Sequence, residues 1–222
     1  MLHLRKITHI YKQGDETNKV IDNLNLTLHE NSIVGLIGPS GSGKTTLLNL
    51  IGLIEHPSWG DLRIGNLNIN ELKDEAKTKF RKEKISFIFQ NNQLLEDFTC
   101  LENIALPLYF LSNNLKRSKN KAKEILKEFK LFDRRNLKPA LLSGGEQQRI
   151  SVLRALIKEP KILLADEPTG SLDKTNSKIV MKNIINISRK LKTLTIIATH
   201  NLKFLPMFDI TYEIVNGKLI KV

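Results

Sequence analysis

A glycine-rich segment near residue 40 has the composition of a phosphate-binding loop. Residues 38–45 read GPSGSGKT and lie between apolar runs at 32–37 and 45–53, which predict a buried strand and a helix. Glycines let successive backbone N–H groups converge on phosphate oxygens, and the helix adds its positive N-terminal end. The expected phosphate-binding residues are Gly38, Pro39, Ser40, Gly41, Ser42, Gly43, Lys44, Thr45 and Thr46. We expect Lys44 to reach the β- and γ-phosphates of a nucleotide and act in catalysis, and the Thr45 hydroxyl to ligate Mg²⁺.

Two adjacent acids, Asp166 and Glu167, follow the apolar run at 162–165. Open α/β sheets bind ligands at the carboxyl ends of their strands, so both acids should face the same ligand as the glycine-rich loop. Asp166 is suited to hold Mg²⁺, and Glu167 to orient and deprotonate an attacking water. A helix cap or an exposed acid pair is the alternative interpretation.

Gln90 and His200 also end predicted strands, at 85–89 and 194–198. The imidazole of His200 would lie at the same sheet edge, where it can bond a γ-phosphate. The Gln90 amide can contact the metal or the attacking water. We therefore place both among the catalytic residues and Gln90 also among the metal ligands, although a single histidine or glutamine often has only a packing role.

A second phosphate-binding surface is predicted at residues 142–149, LSGGEQQR, which open an apolar helix. Ser143 suits the N-cap of that helix, and Glu146 would complete a capping box. A capping box does not require Gly144 and Gly145, which weaken a helix by about 1 kcal/mol each but leave N–H groups open to an anion. Only one phosphate loop occurs in the sequence, so a second copy of the chain should supply the nucleotide that this surface binds.

Apolar runs typical of strands alternate with helical periodicity, which favours an α/β fold with a mainly parallel sheet. Predicted strands lie at 20–29, 32–37, 85–89, 162–165 and 194–198. Leu72, Ala76 and Phe80 share one face of a predicted helix. Strand signals vanish between 91 and 159, which indicates a helical insertion. Near the end, Asn216-Gly217 predicts a hairpin turn.

The motifs together resemble those of the ABC ATPases. The resemblance rests on the phosphate loop, Gln90, the LSGGE signature, Asp166-Glu167, Ser171-Leu172-Asp173 and His200, which occur in the order of that family over nearly the whole chain. It implies a P-loop NTPase (RecA-like) core at 1–90 and 160–222 with an antiparallel β part at the N-terminus, and an α-helical subdomain at 91–159, within one nucleotide-binding domain, 1–222.

The same resemblance implies ATP hydrolysis with Mg²⁺, inside a homodimer that encloses the nucleotides. Further nucleotide contacts implied by it are Tyr11, stacked on adenine, and Asp173, in a loop that contacts the partner, in addition to Ser143, Gly144, Gly145 and Glu146. A tyrosine near a strand end often has only a packing role, so packing is the alternative for Tyr11.

Residues 93–108, QLLEDFTCLENIALPL, are similar to the ATPases of lipoprotein-releasing systems. The segment ADEPTG at 165–170 is similar to a wider group that includes a macrolide-exporter ATPase and the division protein FtsE. Lipoprotein release is therefore the expected function, with MacB-like export or FtsE-like signalling as alternatives. A soluble ABC ATPase is disfavoured, because such relatives commonly carry two ATPase units or a long coiled-coil insertion.

The segment 94–110, around Leu94, Leu95, Phe98 and Leu101, combines apolar residues with a few acids and a proline. It follows Gln90 closely, so we expect it to dock integral membrane permease subunits and to link them to the nucleotide. A plain core helix is the alternative for these residues.

Composition limits the remaining possibilities. The 222 residues contain no apolar run near the ~20 needed to cross a bilayer, and MLHLRKITHIYKQ lacks the apolar region of a signal peptide. The single Cys100 cannot form an intrachain disulfide. The net charge of +12 comes largely from lysines at helical spacing without interleaved aromatics, so we expect no nucleic-acid partner. The expected location is peripheral, at the cytoplasmic face of the bacterial inner membrane.

Overall fold

The computed structural model describes residues 1–14 and 16–222 as two sheets with helices on both sides of the larger one. The strands are β1 (Leu2–Gln13), β2 (Glu16–Leu28), β3 (Ile33–Ile37), β4 (Trp59–Ile64), β5 (Leu67–Asn68), β6 (Ile85–Ile88), β7 (Ile162–Asp166), β8 (Leu194–Ala198), β9 (Ile210–Val215) and β10 (Lys218–Lys221). The helices are α1 (Lys44–Ile51), α2 (Asp74–Lys84), α3 (Cys100–Ser112), α4 (Leu115–Glu128), α5 (Gly144–Leu156) and α6 (Lys174–Leu191). Short 3₁₀ turns connect several of them.

The larger sheet has the strand order β10-β9-β3-β8-β7-β6. All neighbours are parallel except β9 and β10, which form the antiparallel hairpin predicted at Asn216-Gly217. Both turn residues have positive φ, 48° and 74°, as a two-residue type I′ turn requires. The smaller sheet is antiparallel with the order β2-β1-β4-β5, and its N-terminal strand β1 had not been located by sequence periodicity.

Side chains of the parallel strands alternate between two cores, as the strand period of two residues requires. On β7, Leu163 and Ala165 pack with α3, α5 and α6, whereas Ile162 and Leu164 pack with α1 and the antiparallel sheet. Strands buried on both faces explain the unbroken apolar runs in the sequence. Packing on both faces of the sheet fixes the positions of the carboxyl ends of the parallel strands.

The predicted apolar face of α2 is confirmed only in part. Phe80 of α2 and Leu72, which precedes the helix, are half-buried and pack against the hydrophobic core, whereas Ala76 is exposed and no residue of α2 is fully buried. The helix is also stabilised at its ends: acids occupy its first turn, bases occupy its last, and Lys158 Nζ donates to the carbonyls of Arg81 and Lys82 at 3.4 and 2.7 Å.

Only helices and irregular segments connect β6 to β7, in agreement with the predicted insertion. None of the helices in residues 1–14 and 16–222 has both the length and the apolar character needed to cross a membrane.

Candidate functional site

The glycine-rich loop turns from β3 into α1 in a conformation that depends on glycine at its last position. Gly43 immediately precedes α1 with a φ of 103°. A Cβ atom there would lie 2.9 Å from Cγ1 of Val20 and 3.2 Å from its carbonyl oxygen. A side chain at 43 would therefore be strained by the backbone and would collide with β2.

Lys44, the first residue of α1, is buried, and its ammonium group faces the loop. Nζ donates hydrogen bonds to the carbonyl oxygens of Gly38 and Pro39 at 2.8 and 2.9 Å. An ammonium has three donors, so one is left for a ligand oxygen. The loop thus fixes a positive charge beside its own backbone N–H groups.

Thr45 and Asp166 meet at the next position. The Thr45 hydroxyl donates to Oδ2 of Asp166 at 2.7 Å, which ties the first turn of α1 to the end of β7. A hydroxyl and a carboxylate are hard oxygen ligands of the kind that Mg²⁺ binds alongside phosphates. The described residues contain no group of three His, Cys, Asp or Glu side chains arranged to hold a metal, so a Mg²⁺ ion here would need phosphate and water oxygens as well.

Glu167 lies directly beside His200. Nδ1 of His200 is 3.0 Å from Oε1 of Glu167, and the Glu167 side chain is the less exposed of the two, at 15% against 70%. Glu167 adopts a φ of 44°, and its N–H donates to the carbonyl of Ala198 at 3.0 Å. This hydrogen bond continues the β7–β8 pairing to Glu167, where the chain leaves the strand and the carboxylate lies against the imidazole.

These groups line one cleft of about 550 Å³. Its lining residues are Val20, Ser40, Gly41, Gly43, Lys44, Thr45, Thr46, Gln90, Asp166, Glu167 and His200. The Gln90 side chain packs against Gly170: a Cβ atom added at Gly170 would lie 3.1 Å from Nε2 of Gln90. The structure thus brings together the residues that the sequence predicted at four strand ends, and adds Val20, which no sequence pattern had indicated.

The signature residues do not line this cleft within the described part of the chain. Ser143 caps α5 and forms the predicted capping box with Glu146: the Glu146 N–H donates to Ser143 Oγ at 3.3 Å, and the Ser143 N–H donates to the Glu146 carboxylate at 3.0 Å. Arg134, which sequence reasoning missed, donates through Nε to the same carboxylate at 2.8 Å. The Arg134 hydrogen bond, followed by that of the Ser143 backbone, lowers the pKa of Glu146 to about 2.

The two signature glycines have different surroundings. Gly145 is buried, and a Cβ atom there would lie 2.7 Å from Cγ and Oδ1 of Asn176, whose side chain in turn donates to Asp173. Gly144 is exposed, and the nearest atom to its Cβ position is 3.8 Å away on Leu172. Packing therefore explains the glycine at 145 but not the glycine at 144.

Asp173 and Tyr11 have local partners in this chain. Asp173 is the N-cap of α6 and accepts hydrogen bonds from the N–H groups of Thr175 and Asn176 at 2.9 and 3.0 Å, and these bonds, with that of Asn176 foremost, lower its pKa. Tyr11 lies on β1, is 41% exposed, and donates its hydroxyl hydrogen to Glu55 at 2.6 Å. The predicted roles of Asp173 at a partner and of Tyr11 at adenine stay predictions.

The predicted docking segment needs a correction. Leu94 and Leu101 are each only 8% exposed and belong to the hydrophobic core beside α5, so their side chains cannot meet a partner. Leu95 and Phe98 are 41% and 38% exposed. The buried side chains flank the exposed ones, which leaves Leu95 and Phe98 as the two apolar side chains of this segment at the surface.

Comparison with known proteins agrees with this geometry. Residues 21–170 match the family model described as ABC transporter. A protein of Wigglesworthia glossinidia brevipalpis named lipoprotein-releasing system ATP-binding protein LolD is 38% identical over 100% of this chain and 96% of its own. A protein of Chlorobium chlorochromatii named LolD 2 of the same system is 40% identical over 99% and 93%.

Two solved structures are similar to this chain in both fold and sequence. A dimeric, post-hydrolysis structure of an ATP-binding cassette bound to ADP and phosphate has a TM-score of 0.91 and 35% identity, covering 100% of this chain and 98% of that one. A dimeric bacterial ABC transporter cassette has a TM-score of 0.90 and 36% identity, over 99% and 96%.

The chain therefore belongs to the ABC transporter family, as an ATP-binding and ATP-hydrolysing subunit. Within that family it is an ATPase of the LolD type.

Proposed function

We propose that the chain powers a membrane complex that releases lipoproteins from the bacterial inner membrane, bound peripherally at its cytoplasmic face. The observation that carries this proposal is the full-length similarity to several proteins named for lipoprotein release, from four different bacteria. Permease subunits in the membrane would recognise the lipoprotein, because the polar side chains that line the cleft of this chain suit phosphate and Mg²⁺ and not an acyl chain.

The working unit in this proposal is a homodimer. In the part of the chain that the structure describes, the phosphate loop and the signature do not share a cleft, while the exposed Gly144 at the N-terminus of α5 suits an anion. Two copies arranged head to tail would place the signature of each against the nucleotide of the other. Asp173, at the start of α6, would lie at the contact between them. Residues 91–159 would act as the subdomain that carries the signature.

Within the cleft, the polar residues have the following proposed roles. Backbone N–H groups of residues 40–45 and the ammonium of Lys44 bind the phosphates. Thr45, Asp166 and Gln90 hold Mg²⁺, which would neutralise charge on the β- and γ-phosphates. Glu167 accepts a proton from the attacking water, and His200 orients Glu167 and can donate to the γ-phosphate.

Leu95 and Phe98 form the proposed contact with a permease. They lie a few residues after Gln90, so a movement of Gln90 between nucleotide states would be passed to this surface. A short amphipathic helix of the membrane partner is the expected occupant.

Reconstitution tests the function. The chain should be co-purified with the membrane proteins encoded beside its gene and placed in liposomes that contain an acylated lipoprotein. ATP should release the lipoprotein into solution, and a complex carrying Glu167→Gln should release none. ATP hydrolysis without release, combined with export of a small molecule or with control of a cell-wall hydrolase, would instead assign the MacB-like or the FtsE-like role.

A further inference from the structure

Glu55 occupies a fixed position in the segment that follows α1, and it is not among the site residues described above. The N–H groups of Ile54 and Glu55 both donate to the carbonyl of Asn49, at 2.9 and 3.3 Å. The Asn49 side chain also donates, through Nδ2, to Oε1 of Glu55 at 2.7 Å. Backbone and side chain of one residue therefore set where the Glu55 carboxylate lies.

The second carboxylate oxygen of Glu55 accepts the hydroxyl of Tyr11 at 2.6 Å. A phenol has one hydrogen, so the 3.3 Å contact between the Tyr11 oxygen and Oγ1 of Thr46 must use the Thr46 hydroxyl as donor. Tyr11 is thus tied at its tip to both ends of α1, the helix that begins at the phosphate loop. Burial, followed by the Glu55 hydrogen bond, raises the pKa of Tyr11 and keeps the phenol protonated as a donor.

His9 contacts both Tyr11 and Glu55. Its ring is buried and meets the Tyr11 ring edge-on, with centroids 4.7 Å apart, and its Nε2 lies 3.2 Å from Oε2 of Glu55. Tyr11 nevertheless stays 41% exposed. The ring is held at its hydroxyl and at one side while a large part of its surface remains free.

We propose that Glu55 is a positioning residue for nucleotide binding, which holds the Tyr11 ring in a fixed position beside α1 so that a purine base can stack on it. The proposal rests on the stacking role of Tyr11. Because Glu55 does not line the cleft with the phosphate loop, its contribution is to remove the freedom that Tyr11 would otherwise lose on binding.

The test compares binding of ATP with binding of inorganic triphosphate, which lacks a base. In Glu55→Ala and in Tyr11→Phe, the Kd for ATP should rise about three- to tenfold, whereas the Kd for triphosphate should change less than about twofold. The KM for ATP should rise with its Kd, and kcat should change less than KM. Glu55→Gln keeps an oxygen acceptor for the phenol and should restore most of the ATP affinity.

A double-mutant cycle supplies the decisive outcome. If Glu55 acts through the Tyr11 hydroxyl, Tyr11→Phe combined with Glu55→Ala should bind ATP no more weakly than the worse single variant. Multiplied effects, or an equal loss of triphosphate binding, would overturn the proposal. Tyr11→Ala distinguishes failure of the stacking role from failure of the positioning role. If Tyr11→Ala leaves the Kd for ATP unchanged, Tyr11 does not stack on the base. If Tyr11→Ala raises the Kd for ATP but Glu55→Ala and Tyr11→Phe do not, only the positioning role of Glu55 is wrong.

Discussion

His200 and Glu167 lie in direct contact, with Nδ1 of the imidazole 3.0 Å from Oε1 of the carboxylate. Their contact follows from the sheet: β7 and β8 are parallel neighbours with Asp166 opposite Ala198, so the residues after each strand emerge side by side. A histidine that touches the proposed base can orient it and can stabilise its charge. The pair is therefore expected to act as a unit.

Changing Glu167 to glutamine should leave ATP binding intact and lower kcat by at least about 100-fold, because the amide cannot accept the proton of the attacking water. His200→Ala should lower kcat by about 10-fold or more with a smaller effect on KM. Steady-state hydrolysis and equilibrium ATP binding measure both effects. The combined variant should be no slower than Glu167→Gln alone, and a Glu167→Gln rate within threefold of the parent would remove Glu167 from the role of base.

The dimer should form with ATP and not with ADP. Shifting an equilibrium from 1:99 to 99:1 takes about 5.5 kcal/mol, which two or three charge-assisted hydrogen bonds of about 1.5–3 kcal/mol each can supply. In a Glu167→Gln background, sedimentation should show an ATP-dependent dimer that Ser143→Arg abolishes. A monomer at all protein concentrations would contradict the arrangement.

The two signature glycines offer a matched comparison. Gly144→Ala meets no close neighbour, so it should leave the melting temperature unchanged or slightly raised, yet the methyl group beside the helix N-terminus should weaken ATP-driven dimerisation. Gly145→Ala must displace Asn176 and should lower the melting temperature. If both variants change the melting temperature and dimerisation equally, the assignment of Gly144 to dimerisation and of Gly145 to packing is wrong.

The capping carboxylate of Glu146 predicts a pH-dependent contribution to stability. Its folded pKa of about 2 lies below the ordinary value of 4.5, so the stabilisation is fully present above pH 4.5 and disappears as the pH falls towards 2. Glutamine also completes a capping box, so Glu146→Gln removes only the negative charge beside Arg134 and the helix N-terminus, which contributes about 0.3–1 kcal/mol. The variant should therefore melt about 1–4 °C lower at pH 7, and the difference should shrink at lower pH.

Glu128→Gln is the control for that measurement. Glu128 pairs with Lys190 at the same 2.8 Å distance, but both side chains are more than half exposed and Glu128 caps no helix. Such a pair contributes about 0–1 kcal/mol, so the control should melt close to the parent. A pH-independent difference at Glu146 would assign its effect to shape and not to charge.

Phe98→Asp tests the proposed permease contact. The substitution would bury a charge in that contact, so co-purification with the membrane subunits and ATP-dependent release should both be lost. ATP hydrolysis by the isolated chain should persist, because Phe98 does not line the nucleotide cleft. Phe110→Asp, at an exposed position on α3, should keep both co-purification and release. Release at the parental rate by a folded Phe98→Asp protein would exclude Leu95 and Phe98 as the docking site.

Much of the nucleotide cleft could be predicted from local sequence. The glycine pattern at 38–45 needs only a turn between strand and helix, and Gln90, Asp166 and His200 needed only the rule that parallel strands end at one edge. The capping box at Ser143 is likewise a contact within one helical turn. Interactions of this short range depend on residue type and spacing, which the sequence states directly.

The remaining features depend on how distant elements pack. Apolar character alone could not distinguish the buried Leu94 from the exposed Phe98, because the orientation of the loop before α3 is set by the core that it covers. The contact of Arg134 with the signature, and that of Glu55 with Tyr11, join segments whose separation in sequence carries no periodic signal. Only the tertiary arrangement brings such side chains within hydrogen-bonding distance, since that distance is decided by the packing of whole helices and sheets.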